Sequence, residues 1–352
     1  MELVAIIKAS ARAGFPLSNS RVRKLAWQYA EGTGQTGFSK TSGRAGRDWL
    51  QSFLRRHKDI RVKKGKNLSI NRAMCNNPVN INKWFDLYEA TLDRLGIRDC
   101  PDQIWNLDES GFQDVPKEEK VIGVTGEQAN QNVSGEKGET STCVALINGA
   151  GVVVPPMIIH KGAGRVNDTW LHHAPTNVLI KATPNGFINK DTFLAFMERA
   201  FRWMGYKRKL GRPNLLLLDG HKSHVYNTQF LKLCMDNDIT VLCFPPHTSN
   251  TLQPLDKMPF SNTKRIWQKE LLKWLFDNTG GRLPKYEFFM VFWPAWMGGM
   301  SVASIQGGFR VTGIYPCNRA AIPEKKLRTS IAYDRYRNPN EPESEEDNDP
   351  GY

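Results

Sequence analysis

The sequence predicts an α/β protein, a mixed sheet with flanking helices on both faces, preceded by a small all-α domain. Three observations lead there. Short apolar runs bounded by glycine or charge lie between residues 104 and 244, amphipathic helical patterns separate the later runs, and the first 72 residues carry helical periods with a strongly basic balance. A chain of 352 residues with 40% hydrophobic content can bury one large core and a second, smaller one.

Leu3, Ile6, Ile7 and Ser10 recur at helical spacing, and Gly14-Phe15-Pro16 stops that first helix. A second helix can be capped by Ser18 or Ser20, shows an apolar face of Val22, Leu25, Ala26 and Tyr29, and ends at Gly32. After a glycine- and serine-rich loop, a third helix is expected from about Arg44 to His57. At about 100° per residue, Arg44, Arg47, Gln51, Arg55 and Lys58 fall within an arc of roughly 80°. Trp49, Leu50 and Phe53 face the opposite way, and Arg61, Lys63, Lys64 and Lys66 continue as an extended basic arm.

Residues 1–72 hold 16 Lys and Arg against 4 Asp and Glu, which is nearly the whole formal charge of +13. Guanidinium forks so placed fit phosphates and guanine edges, and double-stranded DNA is the partner they point to. Alone, the stripe could be a solvated helix face; its continuity with the arm favours DNA. An anionic membrane would feel the same field, but the longest apolar stretch, 152–159, is broken by Pro155 and Pro156 and is far too short to span. Five apolar residues behind Glu2 make no secretory signal. Six cysteines without a C-x-x-C pair read as reduced thiols of a cytosolic or nuclear protein.

Residues 73–100 form a helical connector, with Ile81, Trp84, Phe85, Tyr88, Leu92 and Leu95 on one face and Gly96 as its stop. The runs 104–108, 142–147, 152–159 and 215–218 read as covered strands, 191–204 and 225–236 as helices, and 240–244 as a further strand. Residues 324–352, with six acids among the last twelve, read as a disordered acidic tail.

Two acids are expected at strand ends: Asp108 follows the first run and Asp219 follows Leu215-Leu216-Leu217-Leu218. A carboxylate there needs a cation or hydrogen bonds to offset lost hydration, although either one alone could be a turn aspartate. The third candidate is Asp256, at the start of a helix whose Phe260, Trp267, Leu271 and Trp274 form one stripe that includes Asp256. Pro259 is tolerated in a first turn. Glu270, about three turns deeper, is the rival. His221, Lys222 and His224 beside Asp219 are candidates for orienting a phosphate or nucleophile, with His221 alternatively bonding its own loop.

Gly14-Phe15-Pro16-Leu17, the stretch from Arg47 to His57 and the basic arm resemble the centromere-protein-B type helix-turn-helix. Asn106-Leu107-Asp108-Glu109-Ser110-Gly111, Leu218-Asp219-Gly220-His221-Lys222-Ser223-His224 and Phe244-Pro245-Pro246-His247-Thr248-Ser249-Asn250, leading to Leu252-Gln253-Pro254-Leu255-Asp256, resemble the pogo branch (Tigger/jerky-like, mariner superfamily) of the DDE transposases. Together the resemblances cover roughly residues 1–72 and 101–323. They imply a ribonuclease-H-like fold over 101–323, a DNA-binding domain in 1–72, and metal-binding catalytic aspartates at Asp108, Asp219 and Asp256. Mg²⁺, with Mn²⁺ as substitute, is the implied cofactor. In-line phosphodiester cleavage uses two such ions about 3.5–4 Å apart, one beside the attacking and one beside the leaving oxygen.

Lys257-Met258-Pro259 departs from the family, which often has small or apolar residues there. The expected function is metal-dependent DNA cleavage and strand transfer in the nucleus, with a homodimer as an option. The alternatives are a domesticated DNA-binding protein that keeps the nuclease fold, or a structure-selective nuclease.

Overall fold

The computed structural model describes residues 2–12, 17–34, 37–39, 41–63, 77–116, 138–207, 213–220, 228–278, 281–323 and 327. Gly14, Phe15, Pro16, Lys64, Lys66, Cys75, His221, Lys222, His224 and, Leu327 apart, the acidic tail lie outside them. The chain divides into two compact units, Met1–Ile81 with Pro323–Tyr352, and Asn82–Ile322.

The first unit contains α1 (Glu2–Arg12), α2 (Asn19–Gly32) and α3 (Arg47–Arg56). Ser18 Oγ accepts from the Arg21 N–H and caps α2. The buried face of α2 is Val22, Ala26 and Ala30, so Tyr29, expected on it, instead stands 48% exposed at its edge. Leu50 and Phe53 of α3 close the small core with Val22, backed by Leu3, Ile7, Leu17 and Trp49.

Helix α3 begins later than its sequence suggests. Gly43 adopts φ +56° and the Ala45 N–H bonds the Arg23 carbonyl at 3.0 Å, holding the preceding loop out of helix until Gly46. Arg44 therefore lies in that loop and Lys58 in the turn after the helix, and the shared face reduces to Arg47, Gln51 and Arg55. All five side chains are exposed, as are Arg61 and Lys63.

The second unit is built on a sheet of β1 (Ile104–Gln113), β2 (Thr140–Asn148), β3 (Met157–Lys161), β4 (Leu179–Thr183), β5 (Asn214–Leu218) and β6 (Ile239–Cys243), in the order β4-β3-β2-β1-β5-β6. β1, β2 and β3 pair antiparallel, while β3–β4, β1–β5 and β5–β6 pair parallel. The mixed sheet is the one predicted, with one strand more: β4 was not expected. The run 152–159 contributes less than expected, because Pro155 and Pro156 cannot donate to a ladder and only Met157 onward pairs.

Helices cover both faces. On one lie α5 (Lys190–Lys207) and α6 (Thr228–Asp236), whose Phe193, Phe196, Met197 and Phe230 pack on Trp105, Leu107, Val144, Leu146, Leu216 and Leu218. On the other lie α7 (Ser249–Leu252), α8 (Pro254–Lys257), α9 (Pro259–Asn278), α10 (Phe288–Gly299) and α11 (Val302–Thr312), with Trp267 and Phe292 against Phe112 of β1. Helix α4 (Pro78–Leu95), mostly within this unit, anchors by two long-range bonds, Trp84 Nε1 to the Cys243 carbonyl at 2.8 Å and Tyr88 Oη to the Ile314 carbonyl at 2.8 Å. No single helix among the described residues is long and apolar enough to cross a membrane.

Candidate active site

Side chains alternate across a strand, so Trp105 and Leu107 of β1 face the α5/α6 core while Asn106 and Asp108 face the other layer. The parallel register pairs Asn106 with Leu217. Two residues further along each strand stand Asp108 and Asp219, neighbours on the same face. Asp108 is not at a strand end as expected: β1 continues to Gln113 by pairing with β2, Asp108 opposite Ala145. It sits where the ladder with β5 stops. Asp219 does follow its strand directly.

Asp256 comes to the same edge on α8, a four-residue helix of its own rather than the first turn of α9. The break falls at Met258 (φ −125°, ψ −51°), because Pro259 disfavours helical geometry in the residue before it. Two features set α8 down on the sheet. The Leu255 N–H donates to Asn106 Oδ1 at 3.0 Å, while Asn106 Nδ2 donates to the Leu217 carbonyl at 3.2 Å, so one fully buried amide ties α8 to both β1 and β5. Behind α8, glycine permits close approach: a Cβ on Gly308 of α11 would stand 2.6 Å from the Pro254 carbonyl oxygen.

The electrostatics follow from this convergence. Asp108 is only partly exposed, and lost hydration at its carboxyl, then the charges of Asp256 and Glu109, hold it well above the usual carboxylate range. The Gln253 amide and the Glu109 backbone pull the other way. Asp256, an exposed residue on α8, is also raised by lost hydration at its carboxyl, against the lowering effect of Lys264 and Lys257, with Asp219 adding repulsion. Asp108 and Asp256 are each held above the usual carboxylate range. Burial and then the charge of Asp219 raise the thiol of Cys243, at the end of β6.

Asp256 is thus within the fields of both Asp108 and Asp219 at one sheet edge. Among the described residues no three His, Cys, Asp or Glu side chains already surround a point that could hold an ion. Like charges at close range each disfavour the other's ionised form. An all-oxygen, repelling donor set is the kind that a hard divalent cation satisfies. Glu270 lies on α9 three turns beyond its start, away from this edge. A groove of about 850 Å³ runs beside α9, lined by Gly111, Phe112, Lys264, Arg265, Gln268 and Lys269 among others.

Sequence reading missed Asn106, Gln253 and Lys264 as parts of the site. A polar residue two positions before a strand aspartate shares its face, and that was the available signal for Asn106. Nothing in the local sequence marks Lys264.

Residues 138–309 match the family model of the DDE superfamily endonucleases. The match covers 172 of the 352 residues. Asp219 and Asp256 lie within the matched DDE segment, whereas Asp108 on β1 precedes it. Among solved structures, a pre-cleavage Mos1 transpososome is similar over 94% of this chain and 78% of its own, with TM-score 0.56 at 14% identity. The Mos1 strand transfer complex is similar over 94% and 77% (TM-score 0.55, 14% identity), and the mariner Mos1 paired end complex with Mg over the same shares (TM-score 0.53, 15% identity). At such identity the likeness establishes the fold, which is ribonuclease-H-like.

Among curated proteins, the MFS-type transporter clz9 of Cochliobolus lunatus is 28% identical over 218 residues, 61% of this chain and 23% of that protein. The Chaetoglobosin A biosynthesis cluster protein C of Chaetomium globosum is 32% identical over 67 residues, 19% of this chain and 16% of that one. The chain spans under a quarter of the length of these curated relatives.

Proposed function

We propose that this chain is a DNA-binding transposase-type endonuclease of the pogo branch, performing metal-dependent phosphodiester cleavage and strand transfer on double-stranded DNA in the nucleus. Residues 1–72 serve as its centromere-protein-B type DNA-binding domain and 101–323 as its catalytic domain, and a second copy of the chain is a natural partner in joining two DNA ends. The observation that carries this reading is the meeting of Asp108, Asp219 and Asp256 at one edge of a ribonuclease-H-like sheet. The similar Mos1 complexes, a strand transfer complex and paired end complexes with Mg or Mn, support it.

Asp108, Asp219 and Asp256 would hold Mg²⁺, or Mn²⁺ in its place, which supplies a lowered pKa to the attacking oxygen and charge neutralisation at the leaving one. The chain's own residues supply the rest. Asn106 fixes the height of α8 so that Asp256 faces the other two acids. Lys264 and Lys257 partly offset the acids' repulsion. Lys264, Arg265 and Lys269 line the groove along α9, which gives a phosphodiester backbone a basic path. Arg47, Gln51 and Arg55 present donors to duplex DNA.

Cleavage of supercoiled DNA carrying inverted-repeat ends by the full chain tests the reading. Cleavage that needs Mg²⁺ or Mn²⁺ and vanishes in Asp108→Asn, Asp219→Asn and Asp256→Asn supports it. Tight, salt-sensitive DNA binding by a chain that cuts in neither metal would replace it with a DNA-binding protein retaining the nuclease fold.

A further inference from the structure

Gln253 joins α7 to α8, as the C-cap of the first and the N-cap of the second. Its backbone N–H is used, bonding the Ser249 carbonyl at 3.1 Å. Its side chain is 1% exposed. There it lies close enough to Asp108 to favour that carboxylate's ionised form, yet neither Nε2 nor Oε1 completes a hydrogen bond of proper geometry. Burying an amide without partners is unfavourable, and a methionine or leucine would fill the same space without that cost. The side chain is not needed to hold α8 either, because the Leu255 N–H to Asn106 bond does that. An unpartnered amide buried beside a carboxyl has a clear use. It carries one donor end suited to a carboxylate and one acceptor end suited to a water molecule.

We propose that Gln253 is a positioning residue of the divalent-cation site. Its Nε2 would hold the Asp108 carboxylate in its ligating orientation when the cation binds. Ligating carboxylates are commonly oriented by such hydrogen bonds, and losing one lowers metal affinity by about 10- to 100-fold. The proposal rests on the reading of Asp108, Asp219 and Asp256 as cation ligands.

The test uses the full chain, Mn²⁺ alone as the probe in titration calorimetry, and thermal unfolding in EDTA. Gln253→Met keeps the volume and removes both polar ends. It should melt in EDTA at or above the wild-type temperature while Mn²⁺ affinity falls about 10- to 100-fold. Gln253→Ala, measured well below its own melting temperature, should show an affinity loss of the same size. Mn²⁺ affinity within twofold of wild type in Gln253→Met would overturn the proposal, and so would an affinity loss matched by a large drop in EDTA melting, which is the mark of a packing role. Asp108→Asn separates the two layers of the argument: if it binds Mn²⁺ as wild type does, the metal site itself is misassigned and Gln253 falls with it, whereas its loss of binding alongside a normal Gln253→Met overturns Gln253 alone.

Discussion

Asn106→Ala probes the tie that sets the height of Asp256. The amide makes two buried long-range bonds, 3.2 Å to the Leu217 carbonyl and 3.0 Å from the Leu255 N–H, and its side chain is fully enclosed. Truncation leaves a buried acceptor and a buried donor without partners, each costing about 1–3 kcal/mol. The total is about 2–6 kcal/mol, and a unit of this size loses about 2–4 °C of melting temperature per kcal/mol, so unfolding in EDTA should come roughly 5–20 °C earlier. Calorimetric melting of the full chain measures this. At a temperature where the variant remains folded, Mn²⁺ affinity and DNA cleavage should both still be impaired, because α8 is no longer held to β1 and β5. A melting shift under about 2 °C with cleavage intact would refute the claim that this amide positions Asp256.

Other consequences are equally open to measurement. Burial, with Lys285 beside it, pushes the His160 imidazole down to about 4, while Glu139 opposes. Unfolded, it titrates at about 6.5, so the unfolded chain takes up a proton that the folded one refuses; stability is complete above about pH 6.5 and is lost, by up to about 3 kcal/mol, as pH falls through 4. His160→Gln, which can still bond Ser141, should flatten the difference between melting curves at pH 7 and pH 4.5; an undiminished difference would place the acid sensitivity elsewhere. Gly308→Ala puts a methyl group against the Pro254 carbonyl and should lower Mn²⁺ affinity by moving α8, with the unfolding shift smaller than that of Asn106→Ala; unchanged affinity would mean that α8 has room to give. Lys264→Glu combined with Lys269→Glu should weaken DNA cleavage mainly through KM and reduce the salt dependence by about one phosphate contact per lysine; an unaltered KM would rule out the groove as the strand's path.

The sheet was legible in the sequence wherever a strand is covered on both faces, as in Leu215 to Leu218 and Thr142 to Ile147, because continuous burial writes a continuous apolar run. It was not legible where burial is one-sided or pairing is decided elsewhere. β4 shows only partial burial along Leu179–Thr183. β1 runs on through Glu109, Ser110 and Gly111 because β2 pairs with it, so an apolar run that ends at Asp108 marks where double coverage stops rather than where the strand stops. Each aspartate could be singled out from its neighbours in sequence. The contacts that bring them together could not be, since the Asn106 tie links positions 149 apart and the Lys264 field depends on how α9 crosses the sheet. Arg44 and Lys58 fell off the expected helix face for a local reason, the positive φ of Gly43 and the extended Gly46, which helical periodicity does not register.

The most direct test of the three-aspartate site is a crystal of the full chain soaked in MnCl₂ and measured at the manganese absorption edge. The account predicts anomalous peaks bounded by Asp108, Asp219 and Asp256, with carboxylate oxygens within about 2.0–2.3 Å, and their disappearance in Asp108→Asn. A fully occupied manganese held by Glu270 or by other side chains, with no peak among the three aspartates, would contradict it.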